Sequence, residues 1–260
     1  MDTLGIKTDN EFFFKALFPP ISFLEEAKRP LHSPMLAYGA QTMGKTETCK
    51  FIVKNAYDFY GRDRVNAVWS SNIELLLANG IQEAETKPIQ ILIAEDITLE
   101  EPDKDALKNF YKIGHIAEAN GMKKGLILTI LTLHDIYSVP KHLRTFFNCL
   151  LACNAPTNLY DFNIIKSYLK EDVIKKLREL QTKKYFDHSA KAYAAYWFLG
   201  SSGFIKTELT DIEIPRVLHR WGSMFKKARK RKPEVKELEA NEEEDEEPEG
   251  AEDYLDSDEA

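Results

Sequence analysis

A chain of 260 residues, 43% of them hydrophobic, suits one large domain or two small ones and carries enough apolar mass for a real core. No run of 18 uncharged apolar residues occurs, so no membrane span is expected. The opening MDTLGIKTDNEFFFKALFPP has early acids and no small-residue cleavage site, so no secretory signal is expected either. The formal net charge of −7 hides a division: residues 234–260 hold fifteen acids and one lysine, a net of −14, which leaves the preceding 233 residues at +7. Three cysteines is a low, odd count. Cys149 and Cys153 lie in an apolar run with no His or Cys cluster beside them, which points to buried thiols in a reducing cytoplasm.

In chain order, residues 1–33 read as a short helical lead-in, with NEFFFKALF stopped by Pro19 and Pro20. Five short apolar runs follow: PMLAYG (34–39), VNAVWSS (65–71), IQILIAED (89–96), GLILTILTLHD (125–135) and FFNCLLACNAP (146–156). Continuous apolar runs bounded by polar residues suit strands covered on both faces, as in a parallel sheet. After the first run, Cys49, Ile52, Val53, Ala56 and Tyr60 make one face of an amphipathic helix closed by Gly61. After the third, EEPDKDALKNFYKIGHIAEANG reads as a helix ending at Gly121.

Strand alternating with helix predicts an α/β doubly wound domain: a mainly parallel five-stranded core sheet with helices on both faces. Residues 157–214 turn mainly helical. Val173, Ile174, Leu177 and Leu180 form one stripe, and Ala190, Tyr193, Ala194, Trp197 and Phe198 another. A basic segment, 216–233, contains RWGSMFKKARKRK, and the acidic 234–260 has too few apolar residues to fold alone. There are no internal repeats.

One stretch carries chemistry. Gly39 to Thr46 spells G-x-x-x-x-G-K-T at the end of a predicted strand and the start of a predicted helix, the context a P-loop needs. Its expected nucleotide-binding residues are Gly39, Ala40, Gln41, Thr42, Met43, Gly44, Lys45, Thr46 and Glu47. Backbone N–H groups and the helix N-terminus would cradle a triphosphate. Lys45 would reach the β- and γ-phosphates, and Thr46 would put its hydroxyl on Mg²⁺. The expected ligands are thus ATP and Mg²⁺. A P-loop also calls for an acid at the end of another buried strand, and ILIAED supplies Glu95 and Asp96. The preferred assignment puts Glu95 with Thr46 on the metal and Asp96 on the attacking water. The alternative makes Glu95 the base and leaves the metal acid missing. At the end of the fourth run, His134 is either a polar sensor of the γ-phosphate or an ordinary satisfied side chain.

These features together resemble the additional-strand, RecA-like P-loop ATPases of the FtsK–HerA superfamily, which are DNA pumps. The similarity covers roughly residues 34–214. LILTILTLHDIYSVPKHLRTFFNCLLACNAP resembles the family segment in which a strand ends in a Thr-Gln type sensor, followed by a proline turn, an arginine and a last core strand. GSSGFIKTELTDIEIP (200–215) resembles a terminal hairpin. Two departures stand out: His134 replaces the usual Gln, and the acids run Glu then Asp instead of Asp then Glu.

The resemblance implies a RecA-like fold with a mainly helical C-terminal extension, and an ATPase domain over 34–215. It also implies a homo-oligomeric ring whose sites borrow an arginine from the neighbouring subunit. Arg144 is the candidate and Arg64 a second; the alternative for each is a surface salt bridge. With 33 residues ahead of the first core strand, the expectation is a minimal motor of viral or plasmid origin that moves or packages double-stranded DNA in the cytoplasm, the host's if viral. Two other functions share the nucleotide site: a replication-initiator or loader ATPase, and a nucleotide-gated assembly protein that hydrolyses slowly. The basic segment would bind DNA phosphates, pair with the acidic tail in cis, or simply aid solubility. The tail would bind that segment or a protein partner.

Overall fold

The computed structural model of the chain describes residues 5–96, 109 and 112–217. Its elements in order are α1 (Asn10–Leu17), α2 (Ile21–Glu26), β1 (Leu31–Tyr38), α3 (Lys45–Tyr60), β2 (Val65–Ser70), α4 (Ile73–Asn79), β3 (Ile89–Ala94), α5 (Ile113–Ala119), β4 (Leu126–Leu133), α6 (Lys141–Arg144), β5 (Cys149–Ala152), α7 (Leu159–Ile165), α8 (Glu171–Phe186), β6 (Tyr193–Phe198) and β7 (Ser201–Lys206). The strands form one sheet in the order β2-β3-β4-β1-β5-β6-β7. The five strands β2, β3, β4, β1 and β5 are mutually parallel, and β6 and β7 add antiparallel beyond β5. The fold is therefore α/β with a mixed, mostly parallel seven-stranded sheet.

The apolar runs become strands because each residue has a covered face to point at. In β1, Leu36 and Tyr38 face one core, whose helical part comes from α4, α5, α6, α7 and α8. Met35 and Ala37 face the other, built with α1, α2 and α3. The expected stripe of α3 is seated there: Cys49, Ile52, Val53, Ala56 and Tyr60 are all buried. The lead-in belongs to this second layer, with Phe13 ring centroids 5.1 Å from Tyr196 and 6.3 Å from Phe198. Pro34 sits inside β1 without breaking it. Pairing with β5 starts only at Met35, so the missing N–H falls where no ladder partner is required.

The expected five-stranded parallel core is present and is extended by two antiparallel strands. One expectation is corrected: residues 193–198 form a strand rather than a helical stripe. The run YAAYWF is apolar throughout, so its spacing fits a helix face as well as a strand covered on both sides. The hairpin accordingly spans β6 and β7 and starts before residue 200. The helix expected over 100–121 is described from Lys112 onward and is followed by Gly121 at φ 89°. Of the basic segment only Arg216 and Val217 are described; the rest of it and the acidic tail lie outside the described residues. The three cysteines are buried free thiols. No helix among the described residues is long and apolar enough to cross a membrane.

Candidate functional site

The loop from Gly39 to Gly44 rises between two strands. Gly39 N–H donates to the Leu133 carbonyl of β4 at 3.0 Å, and Cys153 N–H, just past β5, donates to the Tyr38 carbonyl at 2.8 Å. A Cβ at Gly39 would lie 2.9 Å from Asn154 Oδ1 and 3.0 Å from Cys153 Cβ, so only glycine fits. Asn154, buried, holds the loop: its Oδ1 accepts from Ala40 N–H at 2.8 Å and its Nδ2 donates to the Ala155 carbonyl at 2.7 Å. Lys184 of α8 braces the same corner, donating to the carbonyls of Cys153 and Tyr193. Burial brings its pKa down to about 8.

Thr42 and Gly44 adopt positive φ, 66° and 97°, which turns the loop tightly into α3. Met43 plugs into the core, whereas Gln41 and Thr42 are exposed. No side chain caps the N-terminus of α3, so its first N–H groups and its partial positive charge face the loop. An anion is what such a cradle suits.

Charged groups converge on this cradle. Lys45, only 6% exposed, places Nζ 2.7 Å from the Gly39 carbonyl, 3.2 Å from His134 Nδ1 and 3.4 Å from Asp96 Oδ1. An ammonium only donates, so His134 Nδ1 is the acceptor, and a neutral ring then carries its proton on Nε2, which faces Asp96 Oδ1 at 3.5 Å. Asp96 has a left-handed backbone, φ 46°, and its N–H donates to Thr132 Oγ1 at 2.7 Å. One residue earlier, Glu95 turns the other way. Its Oε1 accepts from Thr46 Oγ1 at 3.4 Å, and its Oε2 lies 3.3 Å from Arg216 Nη2. The two adjacent acids therefore face different partners. Thr46 and Glu95 offer two hard oxygens at the cradle, a donor pair whose chemistry fits Mg²⁺.

β4 lies between β1, which feeds the loop, and β3, which carries the acids. That order brings Thr132 and His134 to the centre of the cluster. Just beyond, Tyr137 N–H donates to Asp135 Oδ1 at 2.8 Å and to Asp161 Oδ1 at 3.0 Å, and Tyr38 donates its hydroxyl to Asp161 Oδ2 at 3.2 Å. Burial, with the Asp135 carboxyl beside it, raises the Asp161 pKa. These bonds fix the loop that carries His134.

A cavity of about 720 Å³ opens over the cradle, with Gln41, Thr42, Gly44, Lys45, Thr46, Glu47 and Asp96 on one side. The opposite wall is Lys191, Ala192, Thr207 and Leu209. A Cβ at Gly44 would come within 2.8 Å of the Lys191 carbonyl, so the two walls meet closely there.

The structure thus brings together Lys45, Thr46, Glu95, Asp96 and His134. It does not bring Arg144 to them: that guanidinium donates to the Val139 carbonyl at 2.7 Å and the Tyr137 carbonyl at 3.3 Å. Arg64 is exposed just before β2, at the opposite end of the parallel strands from the cradle. Sequence reading missed Asn154, Lys191, Ala192, Thr207, Leu209 and Arg216 at the site. Only Arg216 carried a signal, its charge at the head of the basic segment.

No family model matches the chain, and no curated protein is similar to it in sequence. Among solved structures it is similar to the genome packaging NTPase B204 from Sulfolobus turreted icosahedral virus 2 in complex with ATP-gammaS, at 7% identity and a TM-score of 0.43 over 69% of this chain and 98% of that one. It is also similar to B204, the DNA-packaging ATPase from Sulfolobus turreted icosahedral virus, at 12% identity and a TM-score of 0.42 over 68% and 98%.

Proposed function

We propose that this chain is a magnesium-dependent ATPase that couples hydrolysis to moving or packaging double-stranded DNA. The observation that carries the ATPase part is the convergence of Lys45, Asp96 and His134 on a P-loop whose Thr46 hydroxyl meets Glu95. Loop N–H groups and Lys45 bind the β- and γ-phosphates and offset the charge that develops as the γ-phosphoryl leaves. Asp96, beside Lys45, accepts the proton of the attacking water. His134 holds Lys45 and Asp96 in register and feels the γ-phosphate through them. Thr46 and Glu95 would hold a divalent metal, which would neutralise phosphate charge. The finer part, coupling to DNA, is supported by the sequence resemblance and by β4 standing between β1 and β3, the additional-strand order which that resemblance implies.

A second reading has its own observation. Asp96 sits on a strained left-handed backbone and is already paired with Lys45, which suits slow hydrolysis in a nucleotide-gated assembly protein.

ATP turnover with and without double-stranded DNA separates them, using wild type, Lys45→Ala, Glu95→Gln and Asp96→Asn. Turnover stimulated by DNA and abolished in Lys45→Ala is the expected result, with Asp96→Asn lower by about 100-fold or more in kcat. Turnover indifferent to DNA favours the assembly reading. A wild-type protein that neither binds nor hydrolyses ATP overturns both.

A further inference from the structure

The segment that follows β7 does not stay beside it. β7 runs in the same direction as β5, so it leaves the sheet at the edge where the cradle lies. Ten residues later Arg216 forms a parallel bridge with Trp69 of β2, the strand at the far edge of the sheet. Arg216 pairs on the outer edge of β2, so the span is seven strand spacings of about 4.8 Å, roughly 34 Å, and ten residues reach that only when almost fully extended at about 3.3–3.6 Å each. Residues 207–217 are therefore a strap drawn across the sheet. Thr207 and Leu209 line the cavity over the P-loop, Ile214 is buried against the α3-side core with Ile212 beside it, and Pro215 and Val217 hydrogen-bond on either side of Trp69 at 3.1 and 2.9 Å.

The strap delivers one charge to the site. The Arg216 guanidinium lies 5.2 Å from the centre of the Trp69 ring and 3.3 Å from Glu95 Oε2. Glu95 is itself only 19% exposed, and its N–H is held by the Ser70 carbonyl at 2.9 Å. With backbone and one carboxylate oxygen fixed, the other oxygen is left facing Thr46.

We propose that Arg216 is a positioning residue for the metal-side carboxylate: it holds Glu95 Oε2 so that Oε1 and the Thr46 hydroxyl present a preset pair of oxygens to a divalent cation. The inference rests on the ATPase reading. Partners that orient a ligating carboxylate commonly change metal affinity by about 10–100-fold when removed. Arg216 is 60% exposed, so the lower end is expected. A cation this near a metal also repels it, and the two effects have opposite signs, which makes the experiment decisive.

The test is equilibrium binding of a fluorescent ATP analogue to the full chain at stepped Mg²⁺ concentrations. The variants are Arg216→Ala, Arg216→Gln, Arg216→Lys, Glu95→Gln and the double Arg216→Ala/Glu95→Gln. Arg216→Ala and Arg216→Gln are expected to raise the half-saturating Mg²⁺ concentration by about 3–10-fold. Arg216→Lys, which keeps the charge without the planar stack, falls between them and wild type. In the Glu95→Gln background, removing Arg216 adds nothing. Arg216→Gln keeps part of the stem over Trp69 and guards against loss of strap packing in the alanine variant.

A half-saturating concentration that is unchanged or lower in the folded variants overturns the positioning role and leaves the ATPase reading standing. A wild-type protein with no Mg²⁺-dependent gain in affinity removes both.

Discussion

His134 has one ring nitrogen on an ammonium and the other on a carboxylate. An amide side chain can reproduce both contacts, accepting through its oxygen and donating through its nitrogen, whereas an alkyl side chain can reproduce neither. His134→Gln should therefore keep ATP turnover within about tenfold of wild type, and His134→Ala should lower kcat by about 100-fold. If the two variants fall together, the pairing is incidental. A second histidine gives a stability signal with no part in the site. His32, at the start of β1, contacts Thr129 Oγ1 at 2.8 Å, and burial brings its pKa down to about 4. The unfolded chain then binds a proton that the native state refuses between pH 6.5 and 4. The contribution is whole above pH 6.5 and is lost as pH falls through that window. Between pH 7 and pH 5, urea unfolding should show wild type losing about 1–2 kcal/mol more than His32→Gln does.

At the scale of elements, the strap and the β6–β7 hairpin separate fold from function. Leu209 is 89% exposed yet lines the cavity, so Leu209→Ala should leave stability within about 0.5 kcal/mol of wild type while weakening nucleotide binding several-fold. Equal nucleotide affinity would place the bound molecule away from that wall. The same region shows what a sequence can and cannot disclose. The apolar runs ending at Tyr38, Ala94 and Leu133 were legible because each strand is buried on both faces, the first closed by Gly39 of the loop and the other two by Glu95 and His134. The helical stripe of α3 was legible from its period, and Lys45, Thr46, Glu95, Asp96 and His134 from their positions at strand and helix ends. Tyr193–Phe198 was misread because an unbroken apolar run has no period to reveal its geometry. Asn154, Lys191, Thr207 and Leu209 were illegible as site residues for another reason, and Arg216 showed only as a charge at the head of the basic segment. Each lies more than 100 residues from the P-loop in sequence, and strand order together with the strap after β7 brings them there.

At the scale of the whole molecule, the sign of the charge changes at the end of the chain. Residues 234–260 carry a net of −14 and the rest +7, so the tail is a local polyanion tethered to a cationic body. A tethered anion competes with DNA at an effective concentration set by the linker, in the millimolar range for a short flexible one. Each phosphate neutralised by a Lys or Arg releases a counterion, so binding of DNA and of the tail both weaken as salt rises. These two statements fix the shape of the outcome. Removing residues 234–260 should tighten binding of double-stranded DNA by about tenfold or more at 50 mM salt, and the gain should shrink toward nothing as salt approaches 0.5 M. On the reading that the tail pairs with the basic segment in cis, the slope of log affinity against log salt should be steeper for the truncated chain, because DNA would then gain those cationic sites. Fluorescence anisotropy of a labelled duplex across that salt range measures both quantities. A gain that persists unchanged at high salt would mean that the tail blocks DNA sterically. No gain at any salt would mean that the tail does not compete for the DNA-binding surface.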